Sequence, residues 1–425
     1  MPLKAGVATV DITPPVGVEL SGYGFYLERR STGVLDPLAA RALVLEADGE
    51  RVAIVACDLL GVSRRVAQQT QALVERRAGV PAHALMLACS HTHAGPAAVP
   101  VRGCGEEDPA YVAGLPRRLA DAVTEATEAL QPAEIGFARG HVPGLGLNRV
   151  EGDAGPLDED LVVMAVRSTH GSPLATVYHA TAHGVTQLSR NTLVSADWPG
   201  AASRRIGAAV GGEALYLAGA SGDVNPVLAH TGRGDEAGQL VAERVAALIM
   251  GVEYSSEVSV AGAARDIALP LAPIAPQELE ALAEDARQRM SAPDTPESVA
   301  ARNAARVDLE WAQQLLREYE AGAVREELVT EVQALRVGGG LFLGHGSELF
   351  CEYGQALKAR LASRPTFVVG YANDFIGYVP DPEDYARGGY AAATVPKICG
   401  YFPFTTDVGS RLVAALIDAA AAVGA

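Results

Sequence analysis

Leu85-Met-Leu-Ala88 runs without a break into Cys89-Ser-His-Thr-His-Ala-Gly-Pro96. An apolar run this short, cut off by histidine, glycine and proline, reads as a strand covered on both faces that ends in a loop. The pattern recurs at residues 39–46, 52–56, 161–166, 175–179 and 214–217, which are rich in Val, Leu and Ala and mostly lack clean alternation. Strands of that composition belong to a sheet whose two faces are both buried. In such sheets ligands gather where strands end and loops begin.

The covering helices lie between these runs. Ser63 is placed to cap a helix that stops before Gly79. Asp108-Pro109 opens another, with Tyr111, Leu115, Leu119, Val123 and Leu130 along one face. Residues 235–250 form a third. Strand and helix alternate, so the fold class is mixed α/β. From 276 to 322 the chain turns charged and helical, with a break at Pro293-Asp-Thr-Pro-Glu297. This reads as a helical hairpin inserted into the fold. Strand character resumes at 329–337, turns at Gly338-Gly339-Gly340 and returns at 341–343, with a further strand at 366–369. Residues 1–425 are expected to form one domain with a helical excursion.

Composition narrows the function. Of 425 residues, 49% are apolar and 20% charged, enough to bury a large core. A net charge of -17 argues against a nucleic-acid backbone or an anionic membrane surface as partner. Cys57, Cys89, Cys104, Cys351 and Cys399 form no CxxC pair, which disfavours cysteine zinc sites and a disulfide framework. There is no apolar leader and no 18-residue uncharged apolar stretch, so no stable membrane insertion and a cytoplasmic location are expected.

Polar clusters at the strand ends carry the chemistry. In His91-Thr-His93 an extended backbone turns both imidazoles the same way, which suits either a metal or a pair of satisfied loop histidines. In Tyr178-His-Ala-Thr-Ala-His-Gly-Val185 the glycine indicates a loop after His183, which favours His183 as a ligand and His179 as structural; Asp197 downstream is placed as a supporting acceptor or helix cap. Gly344-His-Gly-Ser-Glu-Leu-Phe350 puts Glu348 where burial is expected, and a buried carboxylate needs a partner. His345 is an alternative ligand there. Imidazole and carboxylate are usual ligands of zinc. Ser221 and Ser347 are the suggestively placed serines, and neither stands in Gly-x-Ser-x-Gly. His83, His141, His170 and His230 read as surface or loop histidines, and Asp11, Asp58 and Arg41 as structural partners.

These segments resemble the neutral, non-lysosomal ceramidases. Gly6-Val-Ala-Thr-Val-Asp-Ile-Thr-Pro-Pro15 with Ser21-Gly-Tyr23 is similar to that family's opening. His91-Thr-His-Ala-Gly-Pro96, Leu147-Asn-Arg149, Ala182-His-Gly184 and Asn191-Thr-Leu-Val-Ser-Ala-Asp197 follow in the family's order. So do Gly222-Asp-Val-Asn-Pro226, Gly346-Ser-Glu-Leu-Phe350 with Gly354, and Asn373-Asp-Phe-Ile-Gly-Tyr-Val379 with Glu383, Tyr385 and Tyr390. The resemblance implies a zinc-dependent amide hydrolase with His91, His183, Glu348 and Tyr378 as ligands. It implies that His93 stabilises the oxyanion, that Arg149 contacts substrate or oxyanion, and that Tyr385 and Tyr390 stand near the scissile group. The family's serine in Gly-Asp-Val-Ser-Pro is Asn225 here, which removes a serine nucleophile at that position. The chain ends soon after the last motif, where the family adds a β-sandwich domain. These departures point to a small-molecule or lipid-like amide other than ceramide. A zinc esterase or lactonase with the same site is the alternative; a serine hydrolase or a non-catalytic metal-binding relative comes after it.

Overall fold

A computed structural model describes residues 2–425 apart from 292, 294, 296 and 297. The apolar runs pair into an eight-stranded sheet: β1 (Lys4–Asp11), β2 (Ala39–Ala47), β3 (Glu50–Cys57), β4 (Leu85–Cys89), β5 (Gln131–His141), β6 (Asp160–Ser168), β7 (Pro173–Ala180) and β8 (Glu213–Ala218). Their spatial order is β8-β7-β6-β5-β1-β2-β3-β4. The β3–β4 and β7–β8 pairs at the two ends are parallel, and the strands between them are antiparallel. Leu43, Val55, Leu87, Val163 and Val177 are fully buried in it, each stabilising the fold by roughly 1.5–3 kcal/mol.

The expected caps form. The Ser63 side chain accepts from the Val66 N–H at the start of α1 (Arg64–Ala78), and Gly79 takes the left-handed conformation that closes it. Asp108 caps α2 (Pro109–Glu128), whose Tyr111, Leu115, Leu119 and Val123 are buried; Leu130 lies beyond its end. Helices α3 (Asp197–Val210) and α4 (Gly234–Ile249) pack on each other.

A second sheet of four strands follows the order β9 (Val260–Pro270), β10 (Glu327–Val337), β11 (Gly340–His345), β12 (Thr366–Val369). The helical hairpin, α5 (Pro276–Met290) and α6 (Val299–Glu320), connects the neighbouring antiparallel strands β9 and β10. The break expected at 293–297 lies partly outside the described residues. Leu279, Trp311 and Leu315 of the hairpin join the core under this sheet, so the hairpin is packed against the body of the fold.

The sequence reading missed two long strands, β5 and β9. Both are rich in Ala, Gly and charged residues and only partly buried, so hydrophobic periodicity is weak in them.

The two sheets meet at β4. The side-chain carbonyl of Asn373 accepts from the Leu87 N–H at 2.8 Å, and the Asn373 N–H donates to the Leu87 carbonyl at 2.9 Å. The Gln333 amide reaches the Leu85 carbonyl at 3.0 Å. This seam sets the loop after β4 beside the segments after β11 and β12.

Candidate metal centre

The loop after β4 turns sharply because His91 adopts φ 58°. A left-handed backbone is uncommon for a residue with a Cβ, and it persists only where the surroundings hold it. Here they do. The His91 ring stacks on Tyr371, with centroids 4.0 Å apart, and the Tyr371 hydroxyl meets Ser221 Oγ at 3.2 Å. The His93 N–H donates to the Gly184 carbonyl at 3.0 Å, which ties this loop to the one after β7. A Cβ on Gly184 would lie 2.7 Å from the His91 carbonyl oxygen, so only glycine fits. Asp197, the first residue of α3, accepts from the Thr186 and Gln187 N–H groups at 3.0 Å, and Trp198 donates to the His183 carbonyl at 2.8 Å. The loop carrying His183 is therefore held from three directions.

Glu348 and Tyr378 face one another across a two-residue parallel pairing. A Cβ on Gly222 would come within 2.4 Å of the Glu348 carbonyl oxygen, which accounts for that glycine. Residues 224–226 pair with 146–148, which sets Asn225 beside Arg149. The Arg149 guanidinium donates to the Tyr378 phenol oxygen and, at 2.7 Å, to the Gly222 carbonyl.

These elements converge on one point. Glu348 Oε2 lies 3.2 Å from His91 Nε2 and 3.1 Å from His183 Nε2, and the Tyr378 hydroxyl lies 3.2 Å from His183 Nε2. His93 Nε2 lies 3.1 Å from His91 Nε2. His91 Nδ1 meets the Leu60 carbonyl at 2.8 Å and His183 Nδ1 meets the Val224 carbonyl at 3.2 Å. A carbonyl only accepts, so both Nδ1 atoms carry hydrogen, and in a neutral ring Nε2 then presents its lone pair. Burial first, and then Arg149, lower His183 to about 4, so its ring is neutral near pH 7. The neutral His183 nitrogen thus turns a lone pair toward a carboxylate in a buried space, an arrangement that calls for a cation between them. His91, His93 and His183 form a buried cluster that could hold a metal ion. Burial and the neighbouring imidazoles also keep His93 well below its ordinary range. Burial pushes the Tyr378 phenol up, and the Arg149 guanidinium works the other way.

A cavity of about 170 Å³ opens on this cluster, lined by His91, His93, Glu348 and Tyr378 among others. Arg149 and Tyr390 line it too, with Tyr390 half-exposed and its ring edge-on to Tyr378 at 6.0 Å. Tyr385 stands apart: it lies outside that lining, partly buried on the short helix Pro382–Ala386. His179 is fully buried with Nδ1 on the Leu217 carbonyl, as a structural histidine would be. His345 bonds Ser347 Oγ at 2.9 Å, but both are fully buried and neither lines the cavity. Ser221 is likewise buried and outside it.

His230, read from sequence as a surface or loop histidine, is exposed and lines the cavity mouth. Its φ is 57°, its N–H donates to the Val185 carbonyl, and its ring lies 5.3 Å from that of Tyr23, which in turn lies 5.0 Å from His93. The Asn225 side chain also faces the cavity.

The model of the neutral/alkaline non-lysosomal ceramidase N-terminal region matches residues 3–243. The chain belongs to that family. The ceramidase family relationship makes it a ceramidase-like hydrolase. Among solved structures it is similar to the neutral ceramidase of Pseudomonas aeruginosa, with 20% identity and a TM-score of 0.76 over 99% of this chain and 74% of that one. It is also similar to a ceramidase complexed with C2, with 18% identity and a TM-score of 0.76 over 99% of this chain and 75% of that one. At these identities the likeness shows the shared mixed α/β fold. A comparison with curated protein sequences returned no match. Among the described residues no helix is long and apolar enough to cross a membrane.

Proposed function

We propose that the protein is a zinc-dependent hydrolase of short N-acyl amides, with His91, His183, Glu348 and Tyr378 holding the ion. The observation that carries this reading is the spacing of the facing atoms. Zinc bonds of about 2.0–2.1 Å in a tetrahedron set neighbouring ligand atoms roughly 3.3 Å apart. The Glu348–His91, Glu348–His183 and His183–Tyr378 separations are 3.1–3.2 Å. Ligand histidines also anchor their second nitrogen on an acceptor. His91 and His183 do so, whereas His93 Nδ1 has no hydrogen-bond partner among the described residues. That contrast supports His93 as a group facing substrate.

When bound, zinc supplies an acidified water and polarises the carbonyl. The chain's own groups do the rest. With Nδ1 left bare, His93 carries its hydrogen on Nε2 and can donate to the oxygen on which negative charge develops. Arg149 holds the Tyr378 oxygen and adds positive charge beside it. Tyr390, at the open side, offers a hydroxyl to the leaving group, and Asn225 offers an amide beside Arg149.

The size of the cavity supports a substrate other than ceramide. Sites for drug-sized ligands usually measure about 300–1,000 Å³, and this one holds about 170 Å³. Leu60, Val101, Val185, Phe375, Val395 and Ile398 give it an apolar flank suited to a short acyl group.

Metal analysis and matched substrates test the reading. We expect close to one zinc per chain and faster cleavage of N-acyl than of O-acyl chromogenic substrates. A preference for the ester would move the assignment to a zinc esterase. A metal-free protein that loses activity on Ser221→Ala would overturn the zinc reading.

A further inference from the structure

A second and larger space, about 780 Å³, adjoins the catalytic cavity. Val101, Ile398 and Cys399 line both, so the two spaces share these three residues as a border. That partition belongs to the apolar flank where an acyl chain would lie. Helix α6 holds it in place. Its Gln314 bonds Arg102 and the Gly400 carbonyl, its Asp308 pairs with Lys397 at 2.7 Å, and its Trp311 donates to the Tyr401 carbonyl at 3.0 Å.

The far side of the partition is charged: Arg65, Arg102, Arg325, Glu106 and Glu107 line the larger space. Two of the arginines are occupied. Arg102 donates to the Lys397 carbonyl and Gln314, while Arg325 donates to Glu318 and to the Gly400 carbonyl. Arg65 differs. It sits exposed on the first turn of α1, facing Glu107 electrostatically, with no hydrogen bond or ion pair among the described residues. A guanidinium that makes no hydrogen bond among the described residues, set in a concave space, is suited to grip a carboxylate with two parallel hydrogen bonds.

We propose that this space is a second substrate subsite, which takes a terminal carboxylate on the acyl chain and binds it through Arg65. The natural substrate is then an N-acyl amide whose acyl chain passes the Val101–Ile398–Cys399 partition and ends in a carboxylate. This deepens the hydrolase reading above and rests on it.

The test uses the zinc-loaded full chain with ω-carboxyacyl p-nitroanilides of increasing length, each beside its ω-carboxamide counterpart. Wild type should prefer the carboxylate once the chain is long enough to pass the partition. In Arg65→Ala the ratio of kcat/KM for carboxylate over carboxamide should fall about fivefold, the scale of an exposed ion pair. Arg65→Lys should restore most of it. An equal preference in wild type, or a ratio unchanged in Arg65→Ala, overturns the subsite while leaving the hydrolase standing. No turnover of any anilide, the acetyl compound included, overturns the hydrolase reading and the subsite with it. Because Arg65 is exposed, its loss should leave the melting temperature unchanged, so a change in ratio reports binding.

Discussion

Replacing Glu348 by Gln should invert the order of stability between the metal-free and the zinc-loaded protein. In the metal-free protein Glu348 Oε2 faces the lone pair of the neutral His183 ring at 3.1 Å, an acceptor set against an acceptor. An amide nitrogen in the same place can donate a hydrogen to the His183 ring. Each new buried hydrogen bond stabilises by about 1 kcal/mol, and the acceptor conflict disappears as well. The chelated variant should therefore be about 1–3 kcal/mol more stable than chelated wild type, a rise of a few degrees in melting temperature. Zinc reverses the comparison. At a hundredfold excess over its dissociation constant it adds about 2.7 kcal/mol to wild type, whereas the amide is a poor ligand and the variant gains almost nothing. The assay is a thermal melt of both proteins with chelator and with graded zinc, alongside metal analysis. A variant that melts below wild type under chelation, or that keeps one tightly bound zinc, would refute the lone-pair argument and the assignment of Glu348 as ligand.

Three further outcomes are expected. His91→Ala should lose metal and activity together, while His93→Ala should keep the metal and slow turnover about 10²-fold or more, as loss of an oxyanion donor does; if His93→Ala strips the metal, the two histidines exchange roles. His345, which burial lowers to about 3, stays neutral in the fold while the unfolded chain gains a proton below about pH 6.5, so its stabilising contribution is present above that pH and is lost on acidification. Between pH 7.5 and 5 wild type should accordingly lose about 2 kcal/mol more than His345→Gln in urea unfolding, and parallel losses would exclude His345 as the cause. Lys358 pairs with Asp158 at 2.6 Å with both side chains 5% exposed, so Lys358→Ala should cost about 3–5 kcal/mol by stranding the carboxylate. A loss below about 1 kcal/mol would mean that Thr181, which already donates to Asp158, carries that charge alone.

What the sequence could reveal tracks where the structural information is local. The strand at Leu85–Cys89 and the caps at Ser63 and Asp108 depend on neighbouring residues, and all were legible. His91, His183 and Glu348 were legible as polar interruptions of buried runs. Tyr378 was not, because a lone tyrosine in a two-residue strand is indistinguishable from core; only the family pattern singled it out. His230 was missed for a related reason. It reaches the cavity through a left-handed turn fastened to Val185, a contact between loops far apart in the chain that leaves no periodic trace. Tyr385 shows the converse: a matched motif position whose side chain is outside the cavity lining. The hairpin's charged exterior was legible, but its hold on the partition beside the cavity depends on long-range contacts from Asp308 and Gln314.

The sheet seam at β4 also has a consequence in time. The loops bearing His91 and His183 leave a sheet whose last strand ends at Ala218, whereas Glu348 and Tyr378 come much later in the chain. A ribosome adding about 5–20 residues per second would complete that sheet roughly ten to thirty seconds before Tyr378 is made. Through that interval the nascent chain offers imidazoles without the carboxylate or phenol that complete the set. On the proposed ligand set the metal is a late arrival, captured only once the second sheet has docked. Its uptake would then serve as a clock for the last step of folding.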